Sequence, residues 1–466
     1  MKRYEALAAQ LAALVEEGVL RPGERLPSTR TLAKNHRVSP ATATQALYLL
    51  EDRGIVQARP RSGFYVNAHW RAAQPPAVRK PPAKAATLDV SELVFEVLAT
   101  IRQRDVVPFG SAFPDPTLFP LDKLAQMLGR SARRMDPWRT VEGMAPGSDE
   151  LRRQIARRYA VQGVRVRPEE ILITAGALEA LNLCLQAVTQ PGDVVAIESP
   201  AFYAALQTIE RLGLRAVEIA TDPVHGADVA SLAAAIKRHR VAACWLMPTF
   251  QNPTGATMPL ERKRELVALL ARHGILLVED DVYAELHDGA DPEPPAKAFD
   301  AKGLVMHCGS FSKSLAPGYR LGWCAPGAAF GRVERLKLTT SIATSIPVQD
   351  GIAEYLKHGG YDHHLRTLRG RFREQRSRLL AALDAHFPTG TRATRPRGGY
   401  FSWIELPGDR DAMALYRAAG AKGISVAPGP IFSAQRRFAN CLRLNYGHPW
   451  TDATERALAT LGRLAR

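Results

Sequence analysis

The chain has 466 residues, with 46% hydrophobic, 23% charged and 7% aromatic side chains, proportions that exclude a small lone module, a disordered or collagen-like chain and a protein built of membrane spans. Its formal net charge of +16 is unevenly placed. Residues 1–67 carry ten Lys/Arg against six Asp/Glu, and 68–87 carry four against none, so positive density gathers at the N-terminus, where it would serve a nucleic-acid partner.

The opening MKRYEALAAQLAALVEEG is amphipathic and carries acids, unlike a secretory leader, and no apolar run approaches the ~20 residues of a membrane span. The expectation is a cytoplasmic protein with no membrane attachment. Five cysteines, odd in number and scattered without a CxxC pair, read as reduced, buried thiols with no metal site among them.

Tyr4 to Glu17 reads as a first helix, and Ser28 is an N-cap for a second over Thr29 to Asn35. Ser39 caps a third helix, Ala41 to Asp52, with Pro40 at its start and Gly54 beyond its end. Two short helices about a turn apart form a helix-turn-helix, with Thr42, Thr44 and Gln45 where a recognition helix meets base edges. Residues 55–66 (IVQARPRSGFYV) read as a two-stranded wing whose Arg59 and Arg61 suit phosphates. Next, NAHWRAAQPPAVRKPPAKAAT (67–87), with two Pro-Pro pairs and no acid, reads as an extended linker.

From Leu88 onward, short apolar β runs alternate with amphipathic helical stretches, the pattern of an α/β fold. Runs at 170–175, 193–199, 243–248, 274–280 and 303–311 are strand candidates of the kind buried on both faces. In VMHCGSFSKSLAPGYRLGW (305–323), a strand runs into a polar loop bearing Lys313. A lysine at a buried strand end, close to other positive groups, is readily neutral and nucleophilic, as Schiff-base formation with an aldehyde requires. Ser310, Ser312 and Arg320 around it suit a phosphate. In GILLVEDDVYAEL (274–286), Asp280 ends a strand where it can hold a pyridine nitrogen protonated, with Tyr283 able to hydrogen-bond the ring 3′-oxygen. In MPTFQNPTGATM (247–258), an Asn-Pro turn can aim the Asn252 amide at that same oxygen.

The N-terminal pattern Gly23, LPSTR (26–30), VSP (38–40) and GFYV (63–66) resembles the GntR-type winged helix, which implies Arg30, Thr42, Thr44, Gln45, Arg59 and Arg61 as DNA contacts. Residues from about 108 to 460 resemble a fold-type I aminotransferase of the class I/II group. That resemblance implies pyridoxal 5′-phosphate, held as a Schiff base on Lys313. Its phosphate would lie on the amides of Gly176 and Ala177 in TAGAL (174–178) and on Ser310, Ser312 and Arg320, and its ring between Phe202, Asn252, Asp280 and Tyr283. Arg443 in LRLNYG matches the arginine that forks onto a substrate carboxylate. Glu142 stands where many relatives place a tyrosine that reaches the neighbouring subunit's cofactor phosphate; either the loop is shifted, with Trp138 or Met144 taking part, or the site differs from housekeeping aminotransferases.

Together the two halves resemble the MocR/GabR group of bacterial regulators, most closely its YdcR-type members. The resemblance implies a winged helix over 1–66, a linker over 67–87 and a cofactor-binding domain over 88–466, with a smaller C-terminal α+β subdomain mainly about 345–466. It further implies a head-to-tail homodimer, each winged helix docked on the other subunit, that binds promoter DNA and senses pyridoxal phosphate or an amine or amino acid. The rival readings are a working aminotransferase acting on an amino acid and a 2-oxo acid, and a DNA-binding protein whose large domain is a cofactor-free dimerisation platform.

Overall fold

The computed structural model describes residues 3–52, 54–59, 62–67, 74–100, 105–139, 144–289, 292–358 and 360–466; Arg61 and Glu142 lie outside the described residues. Helices Arg3–Glu16, Thr29–Asn35 and Pro40–Asp52 pack Leu7, Leu11, Leu32, Ala46, Leu47 and Leu50 into one small core. Serines start both short helices: Ser28 Oγ accepts from Thr31 N, and Ser39 Oγ from Thr42 N, each at 3.1 Å. These bonds satisfy amides that a helix start leaves without an intrahelical partner. Strands Val56–Arg59 and Gly63–Val66 pair antiparallel, and Val56 and Val66 close the same core. The unit is a winged helix.

In its described part, the linker expected over 67–87 is no loose tether. Ala77 N and the Arg79 guanidinium meet Glu405 at 2.9 and 2.6 Å, and Arg437 donates to Lys80 O. Farther along, His239 donates to Ala83 O, and Ala86 forms a β-bridge with Ala216. A Pro-rich composition excludes helix, yet extended chain keeps free backbone groups, and Arg79 finds an acid, Glu405, on the large domain.

The central sheet has eight strands in the spatial order Leu172–Thr174, Gly322–Ala325, Val305–Ser310, Leu276–Asp280, Val241–Leu246, Val194–Ser199, Arg215–Asp222 and Gly226–Ala227. Every apolar run singled out from the sequence is a strand of it. The run at 274–280 begins late because Gly274, at φ +65°, caps the preceding helix Leu260–His273. Helix Ala177–Gln186 covers one face, while Val229–Arg238 and Leu260–His273 cover the other, which explains why these strands are apolar throughout. The sheet is mixed rather than all parallel: Gly322–Ala325 runs antiparallel to both of its neighbours.

A smaller four-stranded sheet, ordered Arg392–Ala393, Phe401–Glu405, Cys441–Asn445 and Ala427–Pro428, packs with helices Gly360–His386, Ala412–Gly420 and Asp452–Leu464. Val107–Pro108 pairs with Ile424–Ser425 and draws the chain that follows it toward Arg443. All five cysteines are buried and free. Among the described residues, no helix is long and apolar enough to cross a membrane, and no cluster of His, Cys, Asp and Glu could hold a metal ion.

Candidate functional site

The site gathers at the carboxyl ends of the central parallel strands. Asp280 is the last residue of its strand; it is buried, and both carboxylate oxygens lack a hydrogen-bond partner. Burial, together with the neighbouring Asp281 charge, pushes the Asp280 carboxyl up to about 7. A cationic ring N–H set against it would satisfy those oxygens and reverse the shift. Asn252 is fully buried, with Oδ1 accepting from Arg443 Nη1 at 3.1 Å and Nδ2 without a partner. Tyr283 is buried edge-on against Tyr400 and Phe401, and that burial raises its pKa, keeping the phenol protonated and able to donate.

Lys313 follows the strand Val305–Ser310. Its Nζ donates to Ala112 O at 2.9 Å and lies 3.7 Å from the centre of the Phe113 ring. Burial, then the positive charges of Arg443 and Arg320, lower this ammonium to about 7 against the pull of Asp280. The amine is therefore substantially neutral, and nucleophilic, near neutral pH.

A phosphate cradle lies at the other end. Gly176, at φ +85°, opens the helix Ala177–Gln186, and a Cβ on it would stand 2.4 Å from Arg320 Nη2, so only glycine fits. Arg320 donates to Ser312 Oγ and to Ala175 O, both at 3.3 Å, and Ser310 Oγ donates to Ser312 Oγ at 3.0 Å. Glu179, an acid in the first turn of that helix, is held by Lys337 at 2.8 Å. Phe202 is half-buried at the start of the helix Tyr203–Arg211.

Arg443 is 1% exposed, not a solvated strand arginine. Its Nη2 donates to Gly110 O at 2.6 Å and to Ser111 O at 3.1 Å, and its guanidinium carbon stands 4.3 and 5.3 Å from the Phe401 and Phe432 ring centres. Sequence reasoning missed the strap 110–113, whose carbonyls engage both Lys313 and Arg443. Asn445 Nδ2 holds it by donating to Ser111 O and Phe113 O, and the Tyr400 hydroxyl donates to Ala112 O. A Gly-Ser-Ala run bears no chemical group that would have flagged it.

The described residues singled out for DNA, Arg30, Thr42, Thr44, Gln45 and Arg59, lie apart from this cleft, on the winged helix. Arg30, Gln45 and Arg59 are exposed, with the Arg59 guanidinium carbon 4.2 Å from the Tyr65 ring centre. The Thr42 hydroxyl pairs with Ser39 Oγ, and the Thr44 hydroxyl donates to Pro40 O, so both threonines brace the first turn of their own helix. Arg25, which sequence reasoning passed over, forms a bridge with Tyr65 of the wing.

Residues 120–461 match the family described as aminotransferase class I and II, and residues 3–66 match the gntR family of bacterial regulatory proteins. The chain belongs to the aminotransferase class I and II family. Carrying a gntR module on the same chain, it has the arrangement of the MocR/GabR group. It is 44% identical over 464 residues to YdcR of Escherichia coli strain K12, an uncharacterized HTH-type transcriptional regulator, covering 100% of this chain and 99% of that one. It is 32% identical to aromatic-amino-acid aminotransferase 1 of Thermococcus litoralis, over 78% of this chain and 88% of that one. Among solved structures it resembles LysN, the α-aminoadipate aminotransferase of Thermus thermophilus, complexed with N-(5′-phosphopyridoxyl)-L-leucine. There the TM-score is 0.72 at 30% identity, covering 81% of this chain and 98% of that one. The unpartnered Asp280 oxygens and Asn252 Nδ2, the lowered Lys313 and the open cradle at Gly176 fit pyridoxal 5′-phosphate.

Proposed function

We propose that this protein is a pyridoxal-phosphate-dependent, DNA-binding transcriptional regulator. The observation that carries the reading is the buried, unpaired Asp280 carboxylate beside a lysine lowered to about 7, in one chain with a gntR-type winged helix. When bound, the cofactor supplies an aldehyde for an amine and an electron-withdrawing ring. The chain's own residues do the rest. Lys313 offers a neutral amine, Asp280 stabilises a proton on the ring nitrogen, and Asn252 and Tyr283 orient the ring through its 3′-oxygen. Gly176, Ala177, Ser310, Ser312 and Arg320 would seat the phosphate, and Phe202 would offer an aromatic face to the ring. Arg443 selects an amine effector that carries a carboxylate. Arg30, Thr42, Thr44, Gln45, Arg59 and Arg61 form the DNA face. In this reading, the protein is a cytoplasmic head-to-tail homodimer whose two winged helices read paired half-sites.

The test is DNA binding by the full chain with and without pyridoxal phosphate, then with a panel of amino acids and amines. An affinity that changes with cofactor or amine, and stops changing in Lys313→Ala, supports the reading; an affinity indifferent to all of them overturns it. The complete set of Lys313, Asp280, Asn252 and Arg443 also favours a second reading, an aminotransferase. Sustained amino-group transfer from an amino acid to a 2-oxo acid over many turnovers would establish it.

A further inference from the structure

We propose that Arg395 is the residue through which the Asn252 turn of the cofactor site is coupled to the recognition helix; the proposal rests on the regulatory reading above. The route is short and continuous. Gly255 lies three residues beyond Asn252, and a Cβ on it would stand 2.4 Å from Pro396 Cγ, so the turn and the segment 394–399 are in contact with no slack. A Cβ on Gly398 would likewise stand 2.4 Å from the Phe250 ring, two residues before Asn252. The turn is therefore gripped on both sides by one stretch of the small subdomain.

Arg395 sits inside that stretch with its backbone held on either side. Thr394 N donates to Trp403 O, and Thr394 Oγ1 accepts from Trp403 N. On the other side, Pro396 O accepts from Arg376, which also pairs with Asp288. From this anchored backbone, the half-buried Arg395 side chain reaches the winged helix. Its Nη1 would lie 2.8 Å from a Cβ on Gly54, the residue at φ +67° just beyond the recognition helix Pro40–Asp52. Glycine there serves two needs, the left-handed backbone and the close approach of the guanidinium.

A shift of the Asn252 turn on ligand binding moves Pro396, and with it the arginine that meets Gly54 just beyond the recognition helix. Contact alone does not make coupling; DNA affinity changes only if the ligand favours one placement of the winged helix over another. Arg395 is the contact by which the two placements differ. In this structure the contact joins the winged helix to the small subdomain of its own chain.

The experiment uses full-length protein and a DNA fragment selected in vitro for tight binding. It compares dissociation constants with and without pyridoxal phosphate for the wild type, Arg395→Ala and Arg395→Gln. A coupled wild type changes its affinity by a factor in the range of about 5–150. Both variants are expected to bring that ratio to within about twofold of one, while the cofactor absorbance band and the melting temperature stay as in wild type. Hydrogen exchange near residues 48–58, which responds to cofactor in the wild type, is expected to stop responding in the variants. A wild-type ratio retained in folded Arg395→Ala or Arg395→Gln removes the coupling role and leaves the regulatory reading standing. A wild-type ratio of one removes the regulatory reading, and the coupling with it.

Discussion

Desolvation lowers the Lys313 ammonium to about 7, helped by the Arg443 charge, and raises the Asp280 carboxyl to about 7, helped by the Asp281 charge, because burial favours the neutral form of a base and of an acid alike. Pyridoxal phosphate reacts with the neutral amine, so its rate of uptake should rise with pH around a midpoint near 7, not near the ordinary lysine value of ~10.4. Stopped-flow absorbance across pH 5–9 checks this. Asp280→Asn separates two effects. The folded Asp280 binds its proton more tightly than the unfolded chain does, so its contribution to stability is largest in acid and is lost as pH rises through about 7. At pH 8 the cofactor-free Asp280→Asn protein should therefore melt at a higher temperature than wild type, while its cofactor affinity falls by about 100-fold or more, the ~3 kcal/mol typical of leaving one buried charge without its partner. Arg443→Lys keeps the charge but not the planar fork, and should weaken any carboxylate-bearing effector about tenfold or more without altering the cofactor absorbance. Residue types and spacings pointed to Lys313 and Asp280, and the resemblance to class I/II aminotransferases to Arg443. The strap at 110–113 was not legible, because it acts through backbone carbonyls that every residue possesses.

In the proposed function, the helix Ala177–Gln186 seats the cofactor phosphate and the wing meets DNA. Gly176→Ala forces a side chain into a left-handed backbone, at ~1–2 kcal/mol, and into the Arg320 guanidinium. Cofactor titration should show weaker phosphate-dependent binding, with the absorbance at saturation unchanged. On the wing, Arg59→Ala should weaken DNA binding uniformly across sequences and reduce the slope of log affinity against log salt by about one, measured by anisotropy at several salt concentrations. Local signals made these elements readable. Ser28 and Ser39 cap helices whose starts are set within four residues, and strands covered on both faces show as unbroken apolar runs. The antiparallel return of Gly322–Ala325 was not readable, since its direction is decided by pairing with Val305–Ser310 on one side and with the distant Leu172–Thr174 on the other.

Across the whole molecule, residues 77–86 bind along the large domain, with Arg79 ion-paired to Glu405 at 2.6 Å. Glu405→Gln removes its charge. Limited proteolysis between 74 and 88 should then become faster, while the melting temperature of the large domain changes little, since a half-exposed ion pair contributes ~1 kcal/mol or less. An unchanged cleavage rate would mean that the β-bridge at Ala86 and the other contacts hold the segment unaided. The linker's docking was hidden because its partners, Glu405, Asn440, Ala216 and His239, are more than a hundred residues away in the chain.

The sequence by itself determined that a winged helix precedes an α/β domain of the aminotransferase class, and which lysine, aspartate and asparagine belong to its cleft. The winged helix and the α/β alternation rest on short-range physics, capping and hydrophobic period, and the lysine, aspartate and asparagine on reactive side chains at strand ends; the aminotransferase class rests on the resemblance of the motifs. Only the tertiary structure decided that Arg443 is fully buried and already engaged by the 110–113 strap, that the Pro-rich segment is docked, and that Gly54 meets Arg395. Each of these depends on long-range contacts between residues whose types are ordinary, and ordinary residues acquire a role only from what the fold places against them.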